Sequence, residues 1–182
     1  MSVSKLLLHK PPAAGCEEPF EMLHACHERV KRTLDLLGRL GEHLQTQGCD
    51  AQAKEAAADV QRYFDIAAPL HHEDEELHVF PALQAAGQHL LADTLKAEHE
   101  QMAAQWPQIQ ADLRAVQEQQ GFSPRDLAGL SRRWAEFATL YADHIQREDT
   151  QAYPIARLQL EEARLTNMAR DMARRRGVRI SR

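Results

Sequence analysis

Four stretches of this 182-residue chain place apolar residues three and four apart, and each carries a histidine in the middle of its apolar face. The first reads Phe20, Leu23, His27, Val30, Leu34, Leu37, Leu44, and the second Val60, Phe64, Ala67, His71, Glu75, His78. The third is Leu91, Leu95, His99, Met102, Trp106, Ile109, Leu113, Val116, and the fourth Leu127, Leu130, Trp134, Phe137, Tyr141, His144, Glu148. That spacing is the period of a helix, and no alternating β-branched run competes with it. The chain is expected to be all-α.

The breaks fall between the stripes. Gly48-Cys49-Asp50 separates the first two, and Phe80-Pro81 through Gly87 separates the second from the third. Gly121-Phe122-Ser123-Pro124 opens the fourth, with serine at the cap and proline at the first helical position. Short connections make consecutive helices antiparallel, which predicts an up-down-up-down four-helix bundle over residues 20–168. Residues 1–19, with Pro11-Pro12 and Gly15, read as an extended arm, and 169–182 as an Arg-rich tail continuing helix four. Pro69, Pro107 and Pro154 predict kinks inside helices.

A lone histidine on an apolar face is ordinarily a hydrogen-bonded core residue. Four of them on four helices, two with a glutamate one turn later, require another account. The halves also match: His71-x3-Glu75-Glu76-x3-Phe80-Pro81 repeats as His144-x3-Glu148-Asp149-x3-Tyr153-Pro154, offset by 73. Leu23-x3-His27-Glu28-x-Val30 repeats as Leu95-x3-His99-Glu100-x-Met102, offset by 72, suggesting two helical hairpins related by a pseudo-twofold axis. At about 1.5 Å per residue, all four histidines lie roughly 12–17 Å from one end of an up-down bundle and can converge.

Four imidazoles and two carboxylates in an apolar core cost several kcal/mol per uncompensated charge, and divalent metal removes that cost. The candidate ligands are His27, His71, Glu75, His99, His144 and Glu148. This mixed nitrogen and oxygen set suits iron, with zinc or manganese less favoured. If Glu75 and Glu148 both bridge two metals, each metal receives two protein nitrogens and two protein oxygens. A solvent-derived bridge would make each five-coordinate, with room for a small exogenous ligand.

The motifs around His27, His71-His72-x2-Glu75-Glu76-x3-Phe80-Pro81, His99 and His144-x3-Glu148 resemble the hemerythrin-like, HHE cation-binding domain family over roughly residues 20–160. The resemblance implies a four-helix bundle with two non-haem iron ions bridged by carboxylates and an oxo or hydroxo group. It also implies one of the family's activities: reversible O2 binding, O2, redox or iron sensing, or repair of damaged iron centres. Oxygen-carrying members have a second histidine four residues after the first on helix three, where this chain has Ala103. Their helix-four carboxylate is an Asp at the position of Asp149, whereas Glu148 fits the internal repeat, so Asp149 is expected to face outward. These departures point to the sensor and stress-response branches more than to carriers.

A ferritin-like site wants Glu-x-x-His on alternate helices; here Glu21-x-x-His24 and Glu75-x-x-His78 fall on helices one and two, with no equivalent around His99 or His144. Around the six candidates, His24 lies one turn before His27, beside the stripe. His72 is rotated about 100° from His71 and is expected outside the ligand set or in solvent. His78 shares the His71 face and is expected to line the pocket or orient a ligand. Glu73 and Glu76 read as surface acids, Cys26 as a buried thiol turned off the site, and Trp106 and Tyr141 as core. His9, His43 and His89 read as surface residues.

Hydrophobic residues at 43% and charged residues at 27% are ordinary globular values. No apolar run approaches the roughly 18 residues of a membrane helix, and Leu6-Leu7-Leu8 is too short for a signal-peptide core. Three widely spaced cysteines, Cys16, Cys26 and Cys49, fit a reducing, cytoplasmic setting. The net charge of −5 divides into +5 over 170–182 and −10 over the rest. The arginines lack interleaved aromatics, which disfavours nucleic acid as a partner, while a homodimer is compatible with the pattern. The favoured reading is a non-enzymatic di-iron protein that binds O2 or a related small ligand, NO or peroxide, for sensing or storage. Two others stand beside it: an enzyme acting on peroxide, NO or damaged iron centres, with Tyr141, His78 and Cys26 nearest, and a regulatory module whose metal tunes partner binding through the tail.

Overall fold

A computed structural model describes residues 18–178, and they are all-helical. Five helices run in order: α1 Pro19–Thr46, α2 over 51–85, α3 His89–Gln117, α4 over 124–159, and α5 Glu162–Arg175. Asp50 caps α2 by accepting from the Ala53 amide, and Ser123 with Asp126 forms a reciprocal capping box at α4, followed by Pro124. Gly48 and Gly87 adopt positive φ in the turns after α1 and α2, a conformation that glycine takes without strain.

The long helices pack in a ring, α1 against α2 and α4, and α3 against α2 and α4. Two apolar clusters fill the interior. One takes the second halves of α1 and α3 and the first halves of α2 and α4, with Leu37, Val60, Leu113 and Phe137. The other takes the opposite halves, with Leu23, Leu83, Leu95 and Ala156. The four histidine-bearing levels lie between the two clusters.

The fifth helix was not expected. After α4, Leu160 is extended at φ −100° and ψ 118°, and the chain turns back instead of continuing straight. α5 then buries Leu165, Met168, Ala169, Met172 and Ala173, with Leu165, Met168 and Met172 in the second cluster. Its arginines are anchored as well. Arg175 donates from Nε to Asp74 at 2.9 Å, and Arg176 lies 2.6 Å from the other oxygen of this fully buried carboxylate. The expected arm falls largely on residues 1–17, outside the described residues, as do Cys16 and His9; Pro19 already opens α1.

Three short π-helical turns interrupt α2 and α4: Tyr63–Ala67, Glu75–Val79 and Glu148–Ala152. In each, the amide after the turn reaches back five residues, as Phe80 does to Glu75 and Tyr153 to Glu148. The next residue is proline every time: Pro69, Pro81 and Pro154. Proline lacks the amide for an i→i−4 bond and its ring collides with that carbonyl, so widening the turn relieves both problems. Phe80-Pro81 therefore does not end α2 as expected; the helix runs on to Ala85. Pro107 sits in α3 without a π turn. No helix among the described residues is long and apolar enough to cross a membrane.

Candidate metal centre

Each long helix brings its mid-face histidine to the level between the clusters. His71 with Glu75 on α2, and His144 with Glu148 on α4, stand one turn apart and so share a face. His27, His71, Glu75, His99, His144 and Glu148 are all buried, the most exposed being His99 at 3%.

Their inward atoms converge in two overlapping sets. His27, His71, Glu75 and Glu148 bring ligand atoms within 4.8 Å of one another, and so do His99, His144, Glu75 and Glu148. Both carboxylates thus belong to both sets. His27 Nε2 and His144 Nε2 each lie 3.1 Å from Glu148 Oε2, while His71 Nε2 is 3.3 Å from Glu75 Oε1 and His99 Nε2 is 3.4 Å from Glu75 Oε2. These approaches are not aligned as hydrogen bonds: both oxygens of Glu148 and Oε2 of Glu75 are buried without a hydrogen-bond partner. Orphaned carboxylate oxygens in a dry core are costly, and two pairs of imidazole nitrogens facing them are what divalent cations require. The donor set suits divalent cations, with Glu75 and Glu148 common to both groups of ligand atoms.

Outside this box, three of the four imidazoles meet a carboxylate through Nδ1. His27 reaches Asp149 at 2.8 Å, His99 reaches Glu76 at 3.0 Å, and His144 reaches Glu98 at 2.8 Å, the last held in turn by Arg147. Such bonds fix the tautomer that leaves Nε2 free for metal and raise its basicity. Of these four imidazoles, His71 has its Nδ1 buried and unpartnered. The phenol of Tyr153 enters the box: it donates to Glu75 Oε1, lies 3.0 Å from His27 Nε2, and its ring stacks on His27 at 5.2 Å. Phe80 stacks correspondingly on His99 at 5.3 Å. The π turns explain both placements, because the extra residue per turn brings the fifth residue after each glutamate back onto the glutamate's face.

A family model for the hemerythrin HHE cation-binding domain matches residues 18–156. The chain belongs to the hemerythrin HHE cation-binding family. It is also 32% identical over 175 residues to an uncharacterized protein of Haemophilus influenzae, a match covering 94% of this chain and 98% of the relative. A metal-binding role follows from family and donor set together.

In this hemerythrin domain the metal-free charges are arranged for cation binding. Burial opposes protonation of His27, but Asp149, Glu148 and Glu75 outweigh it and push its pKa up to about 11. His144 is likewise pulled down by burial yet raised to about 9 by Glu148 and Glu98. His99 is raised in the same way by Glu75, whereas burial dominates at His71 and lowers it. Burial works against the Glu75 carboxylate as well, and His71, His27 and His99 hold it well below the usual range. Protons on imidazoles stand where metal charge would otherwise be.

The neighbouring residues distribute unevenly. Asp149 is partly exposed and turned outward as expected, yet it bonds both His27 and the exposed His24, the latter at 3.0 Å. Glu76 is also half-exposed but serves His99. His78 does not line the box: the π turn starting at Glu75 rotates it away, and its Nε2 meets Asp171 of α5 at 3.0 Å. His72 is only partly buried, but its Nε2 is fully enclosed and its ring stacks on His99. Tyr141 packs in the first cluster against Phe64 and Phe137, beside Trp106. Cys26 is partly buried, a free thiol whose pKa is raised by burial; His43 bonds Asp50, and His89 is exposed at the start of α3. Tyr153 and Glu98 were absent from the expected site. The Tyr-Pro step five residues after Glu148 signals the first, and Glu98 sits next to His99 with nothing in the stripe pattern to flag it.

Proposed function

We propose that this hemerythrin-domain protein holds two non-haem iron ions between His27, His71, Glu75, His99, His144 and Glu148, and binds O2 or a related small ligand such as NO or peroxide for sensing or storage. The observation that carries this reading is the pair of four-residue ligand sets sharing Glu75 and Glu148. The balance of imidazole and carboxylate favours iron over zinc or manganese. Iron held by these residues would supply a redox-active centre able to bind a diatomic ligand. The chain contributes the rest. The two apolar clusters exclude bulk water, Asp149, Glu76 and Glu98 orient three imidazoles, and the Tyr153 hydroxyl stands where it can donate a hydrogen bond to a guest beside His27. In this reading the four long helices form the hemerythrin-like bundle, α5 is a cap on one end, and the free Cys26 and Cys49 fit a reducing cytoplasm.

The test is anaerobic loading with ferrous iron followed by exposure to O2 and, separately, NO, watched by optical absorption. A spectrum that forms with the gas and reverses when the gas is removed is the expected result. Irreversible oxidation on a single exposure, with turnover of peroxide or NO, would instead assign the enzymatic reading.

A further inference from the structure

α5 is tied to α2 through Asp74 and His78, and a groove of about 230 Å³ lies between the two helices. Its walls are largely apolar: Leu77 and Pro81 of α2, Leu160 in the turn before α5, and the buried Met168 of α5. Leu77 is 50% exposed, a large hydrocarbon facing water at the lip of the groove. The π turn Glu75–Val79 that carries Glu75 into the box also bears Leu77 and His78, so the groove and the box share a turn without sharing a residue.

The polar groups at this groove favour an anion. Arg164 and Asn167 line it from α5, three residues apart and so on one helix face, and His78 lines it from α2. Among the described residues no carboxylate lines it, although the chain holds 27 acidic residues and a net charge of −5. The arginines at the end of α5 are engaged within the protein, Arg174 with Asp171, and Arg175 and Arg176 with Asp74. Arg164 makes no ion pair, and Asn167 no side-chain hydrogen bond, among the described residues. His78 Nε2 is already held by Asp171, which leaves Arg164 and Asn167 to meet a guest. A guanidinium at the mouth of an apolar groove matches a carboxylate, which it can hold by two parallel hydrogen bonds while an attached hydrocarbon covers the exposed leucine.

We propose that this groove binds a short aliphatic monocarboxylate, its carboxylate on Arg164 and Asn167 and its hydrocarbon on Leu77, Pro81, Leu160 and Met168. The volume lies below the roughly 300 Å³ at which pockets for drug-sized ligands begin, which suits a short acid over a long-chain one. A bare inorganic anion leaves Leu77 in water, and a neutral or cationic amphiphile leaves Arg164 without a partner. The site stands apart from the metal reading and does not depend on it.

The experiment is a titration of the full chain with hexanoate, hexylamine and n-hexanol, followed residue by residue by amide NMR, for wild type, Arg164→Gln and Leu77→Asp. Hexanoate is expected to saturate a single site below about 10 mM and to move the amides around Leu77, Pro81 and Arg164, with the amine and the alcohol at least tenfold weaker. Arg164→Gln should weaken hexanoate at least tenfold and remove its advantage over the alcohol, and Leu77→Asp, which puts an acid at the lip, should abolish binding. Both side chains are exposed, so the helical circular dichroism should be unchanged in either variant. Equal affinities for the three probes, an unchanged hexanoate affinity in Arg164→Gln, or no saturation by hexanoate up to about 10 mM would overturn the proposal. So would tighter binding of a short peptide ending in Leu-Leu, which would assign the groove to a protein C-terminus, or a dimer of this chain that Leu77→Asp converts to monomer.

Discussion

Glu148 and Asp149 are adjacent carboxylates whose side chains serve different ends of one imidazole. Glu148 Oε2 faces His27 Nε2 inside the box, while Asp149 accepts from His27 Nδ1 on the outside. The internal repeat identified Glu148 as the inner one, since helical spacing of four residues from His144 returns to the same face. It did not reveal that Asp149, facing outward, would reach back to His27, because that contact crosses between α4 and α1. Asp149→Asn is expected to weaken the metal at the His27/His71 position about 10- to 100-fold while leaving two sites, as loss of an outer carboxylate does in other metal–histidine pairs. Isothermal titration checks this, and an unchanged affinity would remove Asp149 from the account. Tyr153→Phe removes a hydroxyl but keeps the ring on His27. The expected result is an unchanged metal content and an at least tenfold faster release of the small ligand, read by stopped-flow, since one hydrogen bond of about 1.5 kcal/mol is lost.

The π turns and α5 are where helical periodicity alone falls short. A periodicity of 3.6 carried through Glu75 places His78 on the site face and Tyr153 off it. One extra residue in the turn reverses both assignments. The prolines carried the signal, but a proline in a helical stripe reads equally as a kink, and Pro107 shows that it need not open a π turn. The arginines of α5 misled in another way: their charge suggests solvent, yet Arg175 and Arg176 converge on Asp74, which no pattern in α2 marks as buried. Removing both leaves that carboxylate in the interior without compensation. Arg175→Ala/Arg176→Ala is expected to lose about 3 kcal/mol of stability to urea and to release α5 to proteolysis. If α5 remains protected at unchanged stability, Asp74 is not what anchors it.

Across the whole molecule, two apolar clusters enclose a layer of charge, and that layer links folding to both protons and metal. Without metal, the raised pKa values mean that protons on His144 and His27 stabilise the fold fully below their ordinary value near 6.5. This contribution is lost as pH rises through about 9 and then about 11. Metal replaces those protons, so its stabilising effect grows with pH and its binding releases protons. The gain in melting temperature from saturating metal is therefore expected to be larger at about pH 8.5 than at about pH 6.5 by calorimetry. A gain that shrinks with rising pH would contradict this arrangement of charge. The ring of four helices and the level of the histidines were legible from stripe spacing and the repeat, because both follow from helix geometry. The pairing of His27 with His71 and of His99 with His144 was not, because it depends on which helices adjoin. The most direct test of the centre is elemental analysis of protein purified without oxygen, beside the Glu75→Ala/Glu148→Ala double variant with its helicity checked. The account predicts about two irons per wild-type chain and their loss in the variant. Folded wild-type protein with little or no metal would contradict it.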